Sequence, residues 1–103
     1  MAYRVFFLNK LRDGIDPADY ENWVRRTDYP IARSHPAVQR YEVTKLHSTL
    51  EGGSPSCDYL EVLEVTGIEE YRQALETPQF KQLLGEWSNY IASSEAIHGE
   101  VIE

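Results

Sequence analysis

One cysteine among 103 residues rules out an internal disulfide, so no covalent bridge closes this chain. That residue, Cys57, is flanked by Ser56 and Asp58, which supply none of the positive charge that activates a thiolate; it reads as an inert thiol. Positive charge is scarce: 10 Lys and Arg stand against 17 Asp and Glu, a formal net charge of −7. A phosphate backbone or an anionic membrane surface finds no basic footprint here, so nucleic acid and membrane are excluded as partners. Long hydrophobic runs are also missing. Near the N-terminus only Val5 to Leu8 are continuously apolar, too short for a signal h-region or a membrane span, and a soluble cytoplasmic protein is expected. The histidines His35, His47 and His98 do not fall at H-x-x-x-H or H-E-x-x-H spacing, so neither a metal site nor a cofactor is expected. Internal repeats and low-complexity segments are lacking.

Apolar and aromatic residues are present in quantity: 42% and 12% of the chain, including 7 Tyr, 3 Phe and 2 Trp. That is enough to build one core, and a mass of 11.9 kDa is too small for two, so residues 1–103 are read as a single domain.

Tyr3 to Leu8 carries bulky apolar residues on both parities and reads as a central strand covered on two faces. Asp13-Gly14 marks a turn. Asp16-Pro17 then places a cap and a first-turn proline before Tyr20, Trp23, Val24 and Thr27, the inward stripe of a first helix. Pro30 and Pro36 bracket an irregular stretch in which that helix should end. Val38 to Leu46 alternates as a strand with one wetter face, and Gly52-Gly53-Ser54-Pro55 makes a hairpin loop. Asp58 to Val65 is the strongest strand, with Tyr59, Glu61, Leu63 and Val65 on one parity and Leu60, Val62 and Glu64 on the other. Thr66 and Glu69 have capping-box spacing ahead of the stripe Ile68, Tyr71, Ala74, Leu75. Thr77-Pro78 restarts a helix whose buried stripe is Phe80, Leu83, Leu84, Trp87 and Ile91. Glu95 to Ile102 reads as a last strand, with Gly99 marking a bulge or a close backbone approach.

The order β-α-β-β-α-β is the split βαβ, ferredoxin-like arrangement: an α+β fold in which a four-stranded antiparallel sheet carries its helices on one face. The other face must also be covered, because the first and third strands are apolar on both parities. For so short a chain a second copy is the simplest cover, so a homodimer with facing sheets is expected. RNA-recognition motifs share this order, but they need basic, aromatic strands; Asp-Tyr-Leu-Glu-Val-Leu-Glu-Val at 58–65 is neither, and RNA binding is rejected.

Five segments together resemble the RedY-like (HapK-type) proteins: Ala2-Tyr-Arg-Val-Phe-Phe-Leu-Asn9, Asp28-Tyr29-Pro30, Asp58 to Val65, Thr77-Pro78-Gln79-Phe80, and His98-Gly99-Glu100-Val101-Ile102. The resemblance spans nearly the whole chain. It implies a dimeric α+β barrel, a small-molecule cavity between each sheet and its own helices, and a place beside the prodigiosin-type tripyrrole pathways, where such proteins are thought to support condensation of pyrrole precursors. Relatives of this architecture include cofactor-free monooxygenases, cyclases and plain ligand binders, so the fold leaves the chemistry open.

Within that frame the candidate acid/base groups are His98, Glu61, Glu64 and His35. His98, beside Gly99, either titrates in the cavity or is hydrogen-bonded at the dimer seam. His35, between Ser34 and Pro36, either reaches a pocket mouth or is an ordinary loop residue, and His47 reads as solvated. A carboxylate on a central strand must be paired, protonated or functional, and the opposite parities of Glu61 and Glu64 let only one face the helices; the other should meet the sheet of the second copy, paired with Arg40 or Arg4. Candidate ligand contacts are Asn9, Trp23, Tyr29, Arg33, Tyr41 and Trp87, with core packing as the alternative for both tryptophans. Three functions remain open: cofactor-free acid/base assistance to condensation or cyclisation of an aromatic or pyrrole-like molecule, non-catalytic binding or delivery of it, and cofactor-free monooxygenation.

Overall fold

A computed structural model describes residues 2–103. The elements run β1 (Tyr3–Leu11), α1 (Pro17–Trp23), a π-helical turn (Val24–Asp28), α2 (Tyr29–Ser34), β2 (Val38–Lys45), β3 (Tyr59–Val65), α3 (Ile68–Leu75), α4 (Pro78–Trp87) and β4 (Ile91–Glu100). The sheet order is β2-β3-β1-β4 with every neighbouring pair antiparallel, the split βαβ topology. Cross-strand partners share a face, so the register sorts the sheet. Val5, Phe7 and Asn9 lie on the helix side with Glu61, Leu63 and Tyr41; Arg4, Phe6, Leu8, Leu60, Val62, Glu64 and Ile97 lie on the open side.

The caps explain where two helices begin. Asp16 accepts a hydrogen bond from Ala18 N at 2.9 Å, with Pro17 in the first turn. Thr77 Oγ1 accepts from Phe80 N ahead of Pro78. Each such cap contributes about 1 kcal/mol. The expected capping box at Thr66 does not form: α3 starts from Gly67, and no side chain caps it.

Helix one ends at Ser34, inside the stretch where its end is expected, but that stretch is helical rather than irregular and is reached through a π turn in which Tyr29 N donates to Val24 O. In a regular α-helix the Pro30 ring would clash with the carbonyl of Arg26; the wider turn moves that carbonyl away. The extra residue also shifts the inward stripe. Asp28 is buried at the position that α-helical spacing gives to Thr27, which is half-buried.

Three boundaries move for similar local reasons. In β2 a bulge between Val38 and Arg40 absorbs Gln39, so that Val38 and Tyr41 both face the core despite opposite parities. Ile91 is the first residue of β4, not the last of the helix stripe. The irregularity of β4 falls opposite Lys10 and Leu11, whereas Gly99 pairs in regular register with Arg4. Leu84, read as core, is 37% exposed, while its neighbour Leu83 is buried.

Candidate functional site

The polar centre of the molecule lies between the sheet and its helices. Tyr41 on β2 points inward from beside the bulge, and its hydroxyl oxygen stands 2.5 Å from Asp28 Oδ2 and 2.7 Å from Glu61 Oε1. Glu61 comes from the centre of β3 and is 6% exposed. Its Oε2 accepts from Asn9 Nδ2 on β1 and from Trp87 Nε1 on α4, the latter at 3.0 Å. Side chains from three other elements, β1, β2 and α4, thus meet one carboxylate on β3. Asn9, with its amide nitrogen on Glu61, keeps Oδ1 buried, and among the described residues neither that oxygen nor the buried Tyr20 hydroxyl has a hydrogen-bond partner.

Burial sets the electrostatics. Both carboxyls are pushed above the usual carboxylate range: Asp28 to about 7, first by desolvation and then by the nearby Glu61, and Glu61 by desolvation against the hydrogen bonds of Tyr41, Asn9 and Trp87. The Tyr41 phenol is pushed up by burial and by the two carboxyls. Proton counting reaches the same point independently. A phenol has one hydrogen and two carboxyl neighbours at bonding distance, so one contact requires a proton on a carboxyl.

Around this centre Phe7, Leu63, Tyr71, Leu75, Phe80, Leu83, Leu84 and Trp87 form an apolar, largely aromatic wall, and Leu84 reaches solvent at its mouth. The cavity measures about 40 Å³. Since a water needs roughly 10–15 Å³ by this measure, it has room for about three waters. An aromatic ring therefore enters only if the α3–α4 side chains at the mouth move aside.

Asn9, Tyr41, Glu61 and Trp87 are thus brought together. Tyr29 and Arg33 stand behind them. The Arg33 guanidinium lies 3.7 Å from the Tyr29 ring centre and donates from Nε and Nη2 to the Tyr41 carbonyl at 3.1 and 2.7 Å. Tyr29 packs edge-on against the Tyr41 ring, and its hydroxyl accepts from Val43 N. These two residues hold Tyr41 rather than line the pocket. Trp23 is core: it stacks on Tyr20 and donates to Glu86 at 3.1 Å. Glu64 lies on the open face with its carboxylate 3.9 Å from Arg4. The His35 ring accepts from Ala37 N through Nδ1 and packs against Phe80, outside the pocket. His98 is exposed on β4 with Nδ1 2.6 Å from the Tyr3 hydroxyl; the helices do not reach that edge, where Ser94 and Ala96 are exposed too. His47 is exposed.

Asp28 was missed. It stands in the Asp28-Tyr29-Pro30 segment of the family resemblance, but the signal for its burial is Pro30, which a continuous helix tolerates only by widening. Among the described residues no group of three His, Cys, Asp or Glu side chains is placed to hold a metal ion, and no helix is long and apolar enough to cross a membrane.

A family model described as REDY-like protein HapK matches residues 3–102. Among solved structures, HapK from Hahella chejuensis superposes with a TM-score of 0.80 at 24% identity, covering 97% of this chain and 92% of that one. A dimeric ferredoxin-like protein of unknown function from Thermobifida fusca matches at TM-score 0.75 and 18% identity over 98% of this chain and 92% of that one. The hydroxynitrile lyase of Passiflora edulis matches at TM-score 0.82 and 8% identity over 99% and 94%. At these identities the structural matches show a shared ferredoxin-like fold. No curated protein matches the sequence.

Proposed function

The chain belongs to the REDY-like HapK family, and we propose that it binds a small aromatic or pyrrole-like molecule between sheet and helices and assists its condensation or cyclisation by acid/base chemistry without a cofactor. The pathway is one of secondary metabolism of the prodigiosin, tripyrrole-like kind, and the setting is the cytoplasm. One observation carries the reading: a buried carboxylate, Glu61, shares protons with Tyr41 and Asp28 at the floor of an aromatic-walled cavity. A carboxylate with a raised pKa in a desolvated pocket is suited to taking a proton from, or returning it to, a bound ring. Among the described residues no cationic side chain lines the cavity, so an uncharged or cationic molecule bearing an N–H suits it and a carboxylate does not. The same fold is used by an enzyme named hydroxynitrile lyase, so it is compatible with catalysis.

The working unit is a homodimer. The open face presents Phe6, Leu8, Leu60, Val62 and Ile97, the last 45% exposed, as a continuous apolar stripe edged by Arg4 and Glu64. A face of that kind is usually an interface, and a similar fold is described as dimeric.

The narrow cavity favours a second reading, non-catalytic delivery, in which movement of the α3–α4 side chains at its mouth releases the ligand. Titration of Trp fluorescence with pyrrole-2-carbaldehyde, and with furan-2-carbaldehyde as the analogue without N–H, tests binding. The pyrrole should bind about tenfold more tightly or better, the scale of one hydrogen bond to a charged group, and Glu61→Gln should remove the difference. Equal affinity of both probes, or no binding, would overturn the assignment. Binding with no product from a pyrrole aldehyde and a second pyrrole would select delivery.

A further inference from the structure

The two carboxyls at the pocket floor are not equivalent, and the difference is visible in what surrounds each oxygen. Glu61 Oε2 receives two N–H donors, Asn9 Nδ2 and Trp87 Nε1, and neither donor can accept a proton in return. That oxygen is held as an acceptor, and with it the negative charge of Glu61. Asp28 has no such support: its one hydrogen-bonding partner is the Tyr41 hydroxyl. The single hydrogen of Tyr41 goes to the better acceptor, which is Glu61. The 2.5 Å contact to Asp28 then needs a hydrogen supplied by Asp28.

We infer that Asp28 is the proton donor of the pocket, facing Glu61 as proton acceptor across a Tyr41 relay, and that the chemistry this set performs is a proton shift within a bound aromatic molecule. The inference rests on the pocket being the ligand site. The bound molecule gives a proton to Glu61 and receives one at another atom from Asp28, while Tyr41 swings its hydroxyl hydrogen from Glu61 to Asp28. Return needs no outside proton, because Glu61 passes its proton to the Tyr41 oxygen as Tyr41 passes its own to Asp28. The set holds two dissociable protons over three groups and one negative charge throughout, and no electrons leave it. The shift leaves the bound molecule as a tautomer, which is the proton-transfer part of the condensation or cyclisation proposed above.

Every charged or titratable group near Asp28 fits this assignment. Glu61 on β3 disfavours a second negative charge, Arg33 on α2 opposes that effect only in part, and Tyr41 on β2, Tyr20 on α1 and Tyr71 on α3 stay protonated because their phenols are pushed up by burial and by these carboxyls. The α4 group at the site, Trp87, is an N–H donor that does not titrate.

Infrared spectroscopy of the ligand-free wild-type protein tests the proton's position. At pH 6 a protonated carboxylic acid should show its carbonyl stretch, and the band should disappear with a midpoint near about 7. It should move to lower frequency in protein labelled with carboxyl-¹³C aspartate, stay in place with carboxyl-¹³C glutamate, and vanish in Asp28→Asn. Tyr41→Phe should move the band, because the acid loses its acceptor. A shift with the glutamate label instead, or no acid band at pH 6, would overturn the assignment. The readout uses no ligand, so failure of the pyrrole probes to bind would count against the site's function while leaving the proton's position standing.

Discussion

Glu61 and Glu64 stand three residues apart on one strand, with the same side chain and nearly the same neighbours in sequence, yet they live in opposite environments. Glu61 is buried under the helices, holds hydrogen bonds from three residues and has its pKa pushed up by desolvation. Glu64 is on the open face, half-exposed, with one loose ion pair to Arg4 at 3.9 Å. A strand turns consecutive residues to opposite faces, so an odd separation is enough to make one carboxylate a buried proton-sharing group and the other a surface charge. The lesson concerns cost. A surface pair is worth little because water screens it, whereas a buried carboxylate is tolerated only because every donor around it is aimed at it.

The largest expected consequence is at the buried member. Glu61→Ala should lower unfolding free energy by about 3–5 kcal/mol in denaturant titration, the scale for removing one partner of a buried charged network. A loss below about 1 kcal/mol would show that the network is not what it is taken to be. On the other face, Val62→Asp should halve the solution mass measured by sedimentation, from twice 11.9 kDa to the single chain, with the fold retained. A dimer that survives this change would mean that the open face is not the interface.

The helix layer offers a matched pair of its own. Leu83→Ala should cost about 2–5 kcal/mol as a buried leucine truncation, and Leu84→Ala, at the exposed mouth, less than about 1 kcal/mol. Similar losses at both would place Leu84 back in the core.

Protonation separates the two faces more gently. Asp28 carries a proton in the fold up to about pH 7 but has a reference value of 3.8. Between those values the folded state binds more protons than the unfolded one, so stability falls as pH rises, by at most about 1.4 kcal/mol per pH unit, and levels off above the upper value. Thermal melts from pH 4 to 8 should show this decline, and Asp28→Asn should flatten much of it. Glu64→Gln should be the smallest effect, within about 0.5 kcal/mol.

Much of this was legible in the chain. The order of strands and helices follows from periodicity and from caps at Asp16 and Thr77, and the contrast between Glu61 and Glu64 follows from parity alone. Asn9, Tyr41 and Trp87 were legible as polar groups on inward positions, though nothing in the sequence shows that all three meet Glu61. Asp28 was hidden because α-helical spacing points to Thr27, and only the π turn brings the next residue inward. Leu84 and Ile91 depart from the helix stripe for the opposite reason: an apolar residue at helical spacing says nothing of where the helix stops or whether its stripe meets a lid or a wall.

The sequence by itself determined which residues alternate, which recur at helical spacing and which carry charge, because those properties are set by each residue and its near neighbours. It therefore determined the βαββαβ order and the two faces of β3. Only the tertiary structure decided that Asp28, Tyr41 and Glu61 meet within hydrogen-bonding distance, because that meeting depends on a bulge at Gln39, a widened turn before Pro30 and the packing of α4 over β1. The bulge and the turn each shift a side chain by one residue, and their energy, like that of the helix packing, is settled by contacts from distant parts of the chain. Where protons sit is decided there too, since burial and the aim of neighbouring donors, not residue type, set the balance between a carboxylate and its acid.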